Sequence, residues 1–306
     1  MAKENLIYLY GTVLEEPRIT KDDDGTPLRA IVALEVIRGK REISDNIHYI
    51  KKDKPMLMTA NPELIAEIET WKKYDMVEVK GTLATKEVRK ASNCPHCKAK
   101  NTAMGSLGFV NPIYVSYREH GEDSSQCLEL LKKHQEISNQ AWVIGTLCRE
   151  PKTLKAKSGI NITQFQLAIN RKYKIREDNP ETKTDWPWVK SYGDQAKKDK
   201  RYLHTGSVIL VDGILQARNV DRKKICENCN CEYIWKDKTV ELVPYSNEYL
   251  QNFYSEEEAA KKEAEALATA KRQVFGDDAD LFNENYSDIY GPRPDDDVAQ
   301  ITEEEE

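Results

Sequence analysis

Apolar and polar residues alternate in short runs along most of this chain, the period-two pattern of strands with one buried face. Leu6 to Leu14 and Leu28 to Arg38 read as strands, with Asp22-Asp23-Asp24-Gly25 as the turn between them. A third run spans Ile47 to Lys52. The period then becomes helical: Asn61 can cap, Pro62 suits the first turn, and Leu64, Ile65, Ile68 and Trp71 form one apolar stripe. Met76 to Thr85 and Pro112 to Tyr117 complete the set as strands four and five.

The pattern occurs twice. The run from Asn5 to Pro17 (NLIYLYGTVLEEP) returns as Asn139 to Pro151 (NQAWVIGTLCREP). Val32 to Arg38 is echoed by Phe165 to Arg171, and Val79-Lys80-Gly81-Thr82-Leu83 by Val211-Asp212-Gly213-Ile214-Leu215. Ordered echoes of this kind predict a duplicated domain. Three strands, a helix and two more strands is the order of an OB-fold, a small Greek-key barrel. The predicted architecture is therefore mainly β: one OB-fold over 1–118, a connector over 119–138 that is helical around Leu128 and Leu131, and a second OB-fold over 139–252. Residues 253–306 follow as a helix, with Ser255 and Glu258 as its capping box, and a disordered acidic tail.

Composition refines this picture. The 306 residues suit two domains of ordinary size. No apolar stretch resembles a signal peptide or reaches the length of a bilayer span, so a cytoplasmic protein that does not engage membranes is expected. Seven cysteines in that setting read as thiols or metal ligands rather than disulfides. Charge is unevenly placed. Residues 255–306 hold 17 acidic and 5 basic side chains, which leaves 41 of the 46 basic and 35 of the 52 acidic residues before them. A basic body with an acidic tail suits a polyanion-binding protein whose tail competes for the same surface, or a tail that only aids solubility.

The candidate chemistry lies in strand three of the second copy, where Trp186, Trp188, Lys190 and Tyr192 recur at a period of two and project from one face. Phe165, Leu167 and Ile169 already supply a core face, so Trp186 and Tyr192 are assigned to a platform for stacked bases. Trp188 is open between platform and core, because Pro187 bends the strand beside it.

The second copy also resembles a bacterial single-stranded DNA-binding protein. The resemblance rests on Gly145 with Glu150-Pro151, on Phe165, Leu167, Ala168, Asn170 and Arg171, on Trp186, Val189, Tyr192 and Gly193, and on Gly206-Ser207-Val208 with Gly213, Leu215 and Arg218. In organisation the chain resembles tandem, two-barrel members encoded by phages and mobile elements of Gram-positive bacteria. The resemblance implies coating of single-stranded DNA in replication, recombination and repair. It places a further stacking ring at Tyr173, leaves Val220 where another would stand, and makes Arg171, Lys172, Lys190 and Arg218 phosphate contacts. Copy one has Lys40 in place of the strand-two aromatic and His48, Tyr49 and Lys51 in place of the tryptophans. Its binding is expected to lean on charge, through Arg38, Lys40, Arg41, Lys51, Lys86 and Arg89. Trp142, in strand one, is expected to be buried or to face a partner barrel. Strand-one edges suggest a homodimer presenting four OB-folds. The acidic tail is the expected contact for replication and recombination proteins, although the usual proline-phenylalanine terminus is absent and Asp280-Leu281-Phe282 or Asp288-Ile289-Tyr290 would have to serve.

Two Cys-x-x-Cys pairs, Cys94 with Cys97 and Cys226 with Cys229, occupy matching places between strands four and five. Structural zinc takes four ligands at Zn–S of about 2.3 Å. Three outcomes are open: one zinc shared by both pairs and locking the barrels together, separate sites completed by His96 or Cys231, or no metal. Cys127 and Cys148 read as apolar fillers. No phosphate loop, zinc-protease motif or nucleophile elbow occurs, so no enzymatic activity is expected. The alternatives are an RNA-binding OB-fold protein and a metal-dependent nuclease; for the latter, Asp22-Asp23-Asp24 and Asp295-Asp296-Asp297 sit in a turn and in the tail, too loosely held to build a site.

Overall fold

Residues 4–39, 50–156, 158–171 and 184–251, with 260–261, 264–265 and 268, are described by a computed structural model. Contacts divide the chain into Met1–Phe253 and Tyr254–Glu306. In the second unit the described positions are helical and exposed; Ser255, Glu258 and the acidic segments lie outside the described residues. No helix among the described residues is long and apolar enough to cross a membrane.

The first copy comprises β1 (Asn5–Val13), β2 (Arg18–Lys21), β3 (Pro27–Ile37), β4 (Lys52–Asp53), β5 (Met56–Thr59), α1 (Pro62–Glu69), β6 (Asp75–Asn93) and β7 (Lys100–His120). β1 pairs with β3 and β6, β3 with β5, and β6 with β7, all antiparallel. A parallel contact between Leu57 and Val110 closes the ring. That closure, with a helix between the third and fourth barrel strands, is an OB-fold. Asn61 caps α1 by accepting from the Glu63 N–H at 3.0 Å. Ile65, Ile68 and Trp71 are buried, so the helical stripe plugs one end of the barrel.

Two short helices, α2 (Ser124–Lys133) and α3 (Gln135–Ser138), lead into the second copy. It repeats the first with β8 (Asn139–Leu147), β9 (Lys152–Lys155), β10 (Asn161–Asn170), β11 (Thr184–Asp185), β12 (Trp188–Tyr192), α4 (Gly193–Tyr202), β13 (Val208–Ile225) and β14 (Glu232–Gln251). Its ring closes through the parallel pair Val189 and Leu242. Phe165, Leu167 and Ile169 are fully buried in its core. Gly81 and Gly213 sit at matching register shifts in the fourth barrel strands. An added Cβ there would meet the Asn111 and Val243 carbonyl oxygens at 2.6 and 2.2 Å, so only glycine fits this close approach.

The barrels join edge to edge. β1 and β8 pair antiparallel, with Ile7 opposite Ala141. These two residues are also equivalent in the sequence repeat, so a local pseudo-dyad passes through that pair. Each of the two seam strands is tied into its own barrel in the same way. Asn5 exchanges two hydrogen bonds with the Leu83 backbone at 2.8 and 2.9 Å, and Asn139 does the same with Leu215 at 2.9 and 3.0 Å. Trp142 lies opposite Leu6 in this seam and is half-buried.

Two elements differ from the sequence reading. The third barrel strand of copy one is Met56–Thr59, not Ile47 to Lys52; Ile47 to Tyr49 lie outside the described residues and Lys52–Asp53 make only a two-residue bridge. Apolar Leu57 and Met58 are buried there. Barrel strands four and five do not end near the barrel either. They continue as two-stranded ribbons to Asn93 and Ile225, so the cysteine-bearing excursions are hairpin tips.

Candidate nucleic-acid face and metal clasp

On barrel two, Trp186 is 47% and Tyr192 37% exposed. Trp188 is half-buried, and the Arg149 guanidinium lies 5.5 Å from its ring centre. Arg149 also donates to the Gln166 side chain, whose amide donates to the Trp186 carbonyl oxygen at 3.0 Å. This one strand face thus holds two indoles, a phenol and a stacked cation, and Arg149 is a member that period-two counting within strand three could not reach.

Between Trp188 and Tyr192 the face is charged. Glu241 is buried and takes a bidentate bond from Arg218 at 2.8 and 2.9 Å, with the Lys190 ammonium 3.7 Å away. Lys190 is only 7% exposed, so it braces Glu241 rather than pointing at solvent. Its burial pushes the ammonium pKa down, against the pull of Glu241. The hydrogen bond to Glu241 pushes that of Arg218 up. Two cations on one carboxylate leave a net positive charge beneath the rings. Burial raises the Tyr192 phenol pKa.

The base of each strand-two-to-three loop is braced in the same way. Asp185, fully buried, accepts from Arg171 at 2.7 and 3.0 Å and from the Thr85 backbone N–H of barrel one at 2.8 Å. Asp53 accepts from Arg38 at 2.7 and 3.2 Å and from the Ala217 N–H of barrel two at 3.3 Å. Arg171 and Arg38 are therefore committed to buried carboxylates, where a phosphate contact was expected, because each ties the end of strand two to an aspartate that also accepts from the other barrel. Trp186 is set by the same junction, its backbone N–H donating to the Thr85 hydroxyl at 2.8 Å. Lys51, Lys86 and Arg89 are exposed. Tyr173, Lys172, Lys40, Arg41, His48 and Tyr49 lie outside the described residues.

The two hairpin tips meet. Cys94 Sγ is 3.7 Å from Cys229 Sγ, Cys97 Sγ is 3.6 Å from Cys226 Sγ, and all four sulfurs lie within 4.8 Å of one another. A tetrahedron with Zn–S of about 2.3 Å has S···S edges of about 3.8 Å, so this donor set fits zinc. Both tips turn alike: Cys94 N–H donates to the Ala99 carbonyl and Cys226 N–H to that of Cys231, with Lys98 and Asn230 at φ of 63° and 53°. A hydrogen bond from Asn101 lowers the Cys226 thiol to about 6. The Cys231 N–H favours a thiolate at Cys229, but burial and the neighbouring thiols outweigh it and raise that pKa. Below the tips the ribbons are laced by Asp237, which takes Lys90 at 2.6 Å and Arg222 at 2.9 Å, and by a 2.8 Å bond between Ser92 and Tyr233.

Residues 138–238 match the single-strand binding protein family (SSB). That match spans the second barrel. The SSB match covers β8 through most of the second ribbon and includes every described residue of the aromatic face except Glu241. Single-stranded DNA-binding protein 1 of Staphylococcus aureus strain MSSA476 is 34% identical over 86 residues, 28% of this chain and 54% of that protein. The Xanthomonas campestris single-stranded DNA-binding protein is 32% identical over 78 residues, 26% of this chain and 45% of that one. The chain thus spans about half the length of the curated SSB relatives it matches. The wild-type single-stranded DNA binding protein from Thermus aquaticus has a fold like this one, with TM-score 0.51 at 16% identity, covering 83% of this chain and 97% of that one. That coverage takes in both barrels.

Proposed function

We propose that the chain binds single-stranded DNA without sequence preference and without cleaving it, as a coating protein in replication, recombination and repair. The aromatic face of exposed Trp186 and Tyr192 with half-buried Trp188, on a barrel that matches the SSB family, supports this most directly. Base–aromatic stacking contributes about 1–3 kcal/mol per base and is indifferent to base identity. Arg149, Arg218, Lys86 and Lys51 are the phosphate partners in this reading, and Tyr173 and Lys172 keep the stacking and phosphate roles the resemblance gives them. Lys190, Arg171 and Arg38 hold the frame beneath. The relatives named as single-stranded DNA-binding proteins favour DNA over RNA as the ligand.

One structural zinc bound by Cys94, Cys97, Cys226 and Cys229 belongs to the same reading. It would supply no chemistry to DNA; it fixes the two ribbons to each other. The acidic tail is proposed to contact other proteins of DNA metabolism, and two chains to form a dimer of four barrels in the cytoplasm.

Trp186→Ala tests the face. At matched salt, affinity for oligo-thymidine is expected to fall about 5- to 150-fold, the loss of about 1–3 kcal/mol. Unchanged affinity would refute the assignment. Incubation with labelled DNA and Mg²⁺ should leave the DNA intact; cleavage would overturn the proposal that the protein only binds.

A further inference from the structure

The pseudo-dyad that relates the barrels also relates their outer faces, and there the two copies part. Ala33 pairs with Met56 as Gln166 pairs with Trp188. Asp53-Lys54-Pro55-Met56 is thus the counterpart of Asp185-Trp186-Pro187-Trp188. The Pro55 and Pro187 carbonyls, equivalent by this register, accept from Leu34 and Leu167 at 3.0 and 3.1 Å. Where barrel two raises two indoles, barrel one has a lysine and a methionine. The vacated space is a groove of about 630 Å³ between barrel one and the ribbon of barrel two. Leu14, Met56, Leu107 and Val240 give it an apolar lining, and Lys52, Lys54, Arg218 and Lys238 a cationic one. Glu15 lines it too, and Glu35 engages Lys52 at 2.6 Å and Lys54 at 3.9 Å while Glu241 holds Arg218, so four cations face three carboxylates.

We propose that this groove receives an unstacked base and its flanking phosphates from the same DNA strand that crosses barrel two. The proposal rests on single-stranded DNA being the ligand of the aromatic face, and it adds where the strand goes next. Arg218 belongs to both surfaces: it lines the groove and it completes the charged centre between Trp188 and Tyr192. A strand lying along that face therefore reaches the groove across one side chain. Its bases stack on rings at one end and insert between Met56 and Val240 at the other. Neither barrel alone forms the second site, since Lys238 and Val240 come from the partner copy's ribbon.

The test compares the Lys54→Ala/Lys238→Ala double variant with wild type and with Trp186→Ala, all as full chains. Both lysines are exposed, so the substitutions are expected to leave the fold intact. The probes are oligo-thymidines of about 8 and about 30 nucleotides, short enough for one barrel and long enough for both. The double variant is expected to hold the short probe within about two-fold of wild type. It should lose about ten-fold on the long one, with the salt slope flattened by about 1.4, or 0.7 for each of two phosphates. A long probe bearing 4-thiothymidine should crosslink to the peptides containing Met56 and Val240. Unchanged long-probe affinity and slope in the double variant, with Trp186→Ala still weakening both probes, would remove the groove and leave the stacking face standing. Short-probe binding indifferent to Trp186→Ala would remove both.

Discussion

At the scale of single residues, the most consequential side chains are the two that no strand pattern advertises. Asp53 and Asp185 each tie an arginine at the foot of a loop to a backbone N–H of the other barrel. Removing one partner of a buried ion pair leaves a buried charge without compensation and costs about 3–5 kcal/mol. Asp185→Ala should therefore lower the stability measured by urea unfolding by that order. An effect below about 1 kcal/mol, the range of exposed pairs, would show that the brace is not holding. The sequence held this information in the echo of Asp53-x-Pro55 by Asp185-x-Pro187. Aligning His48, Tyr49 and Lys51 with the tryptophans passed over it, because apolar alternation fixes which residues share a face but not which strand they belong to. The same echo would have found Lys54 and Met56. Lys190 shows the opposite limit: its period-two placement on the outer face is right, but Glu241, brought alongside by parallel pairing with β12, draws it out of solvent.

At the scale of elements, the order of three strands, a helix and two strands was legible in the sequence for both copies, as was the α1 cap at Asn61. The ribbons were not. Beyond Thr85 and Arg218 the chain reads as polar loop, because a ribbon standing clear of the barrel has little core to bury and so little alternation to show. Its strands are held instead by pairing across the hairpin and by the meeting of the two tips. Cysteine spacing announced ligands; only the fold shows that the two pairs face each other. Metal analysis of the purified chain should give one zinc per chain, and Cys94→Ser or Cys226→Ser should abolish it. Chelation should lower the thermal midpoint by about 4–12 °C, what a loss of about 2–3 kcal/mol produces at about 2–4 °C per kcal/mol in a domain of this size. A metal-free protein with an unchanged midpoint after chelation would contradict the clasp.

At the scale of the whole molecule, the duplication sets the design. Strand-one edges, expected to pair two chains, pair with each other inside one chain through β1 and β8. A dimer of four barrels must then use another surface, and sedimentation equilibrium is expected to report twice the chain mass. A single chain mass at micromolar concentration would refute the dimer and leave two barrels as the working unit. The basic body and acidic tail add a dependence on ionic strength. Binding to single strands should weaken linearly on a log–log scale, with slope near −0.7 for each phosphate neutralised. The most direct measurement is a titration of the full chain with oligo-thymidine at low ionic strength, followed by indole emission and repeated as salt is raised. Rings stacked on bases and cations on phosphates require quenching that saturates and a midpoint that moves to higher DNA concentration with salt. Emission that stays constant through the titration, or quenching equally strong with double-stranded DNA, would contradict them.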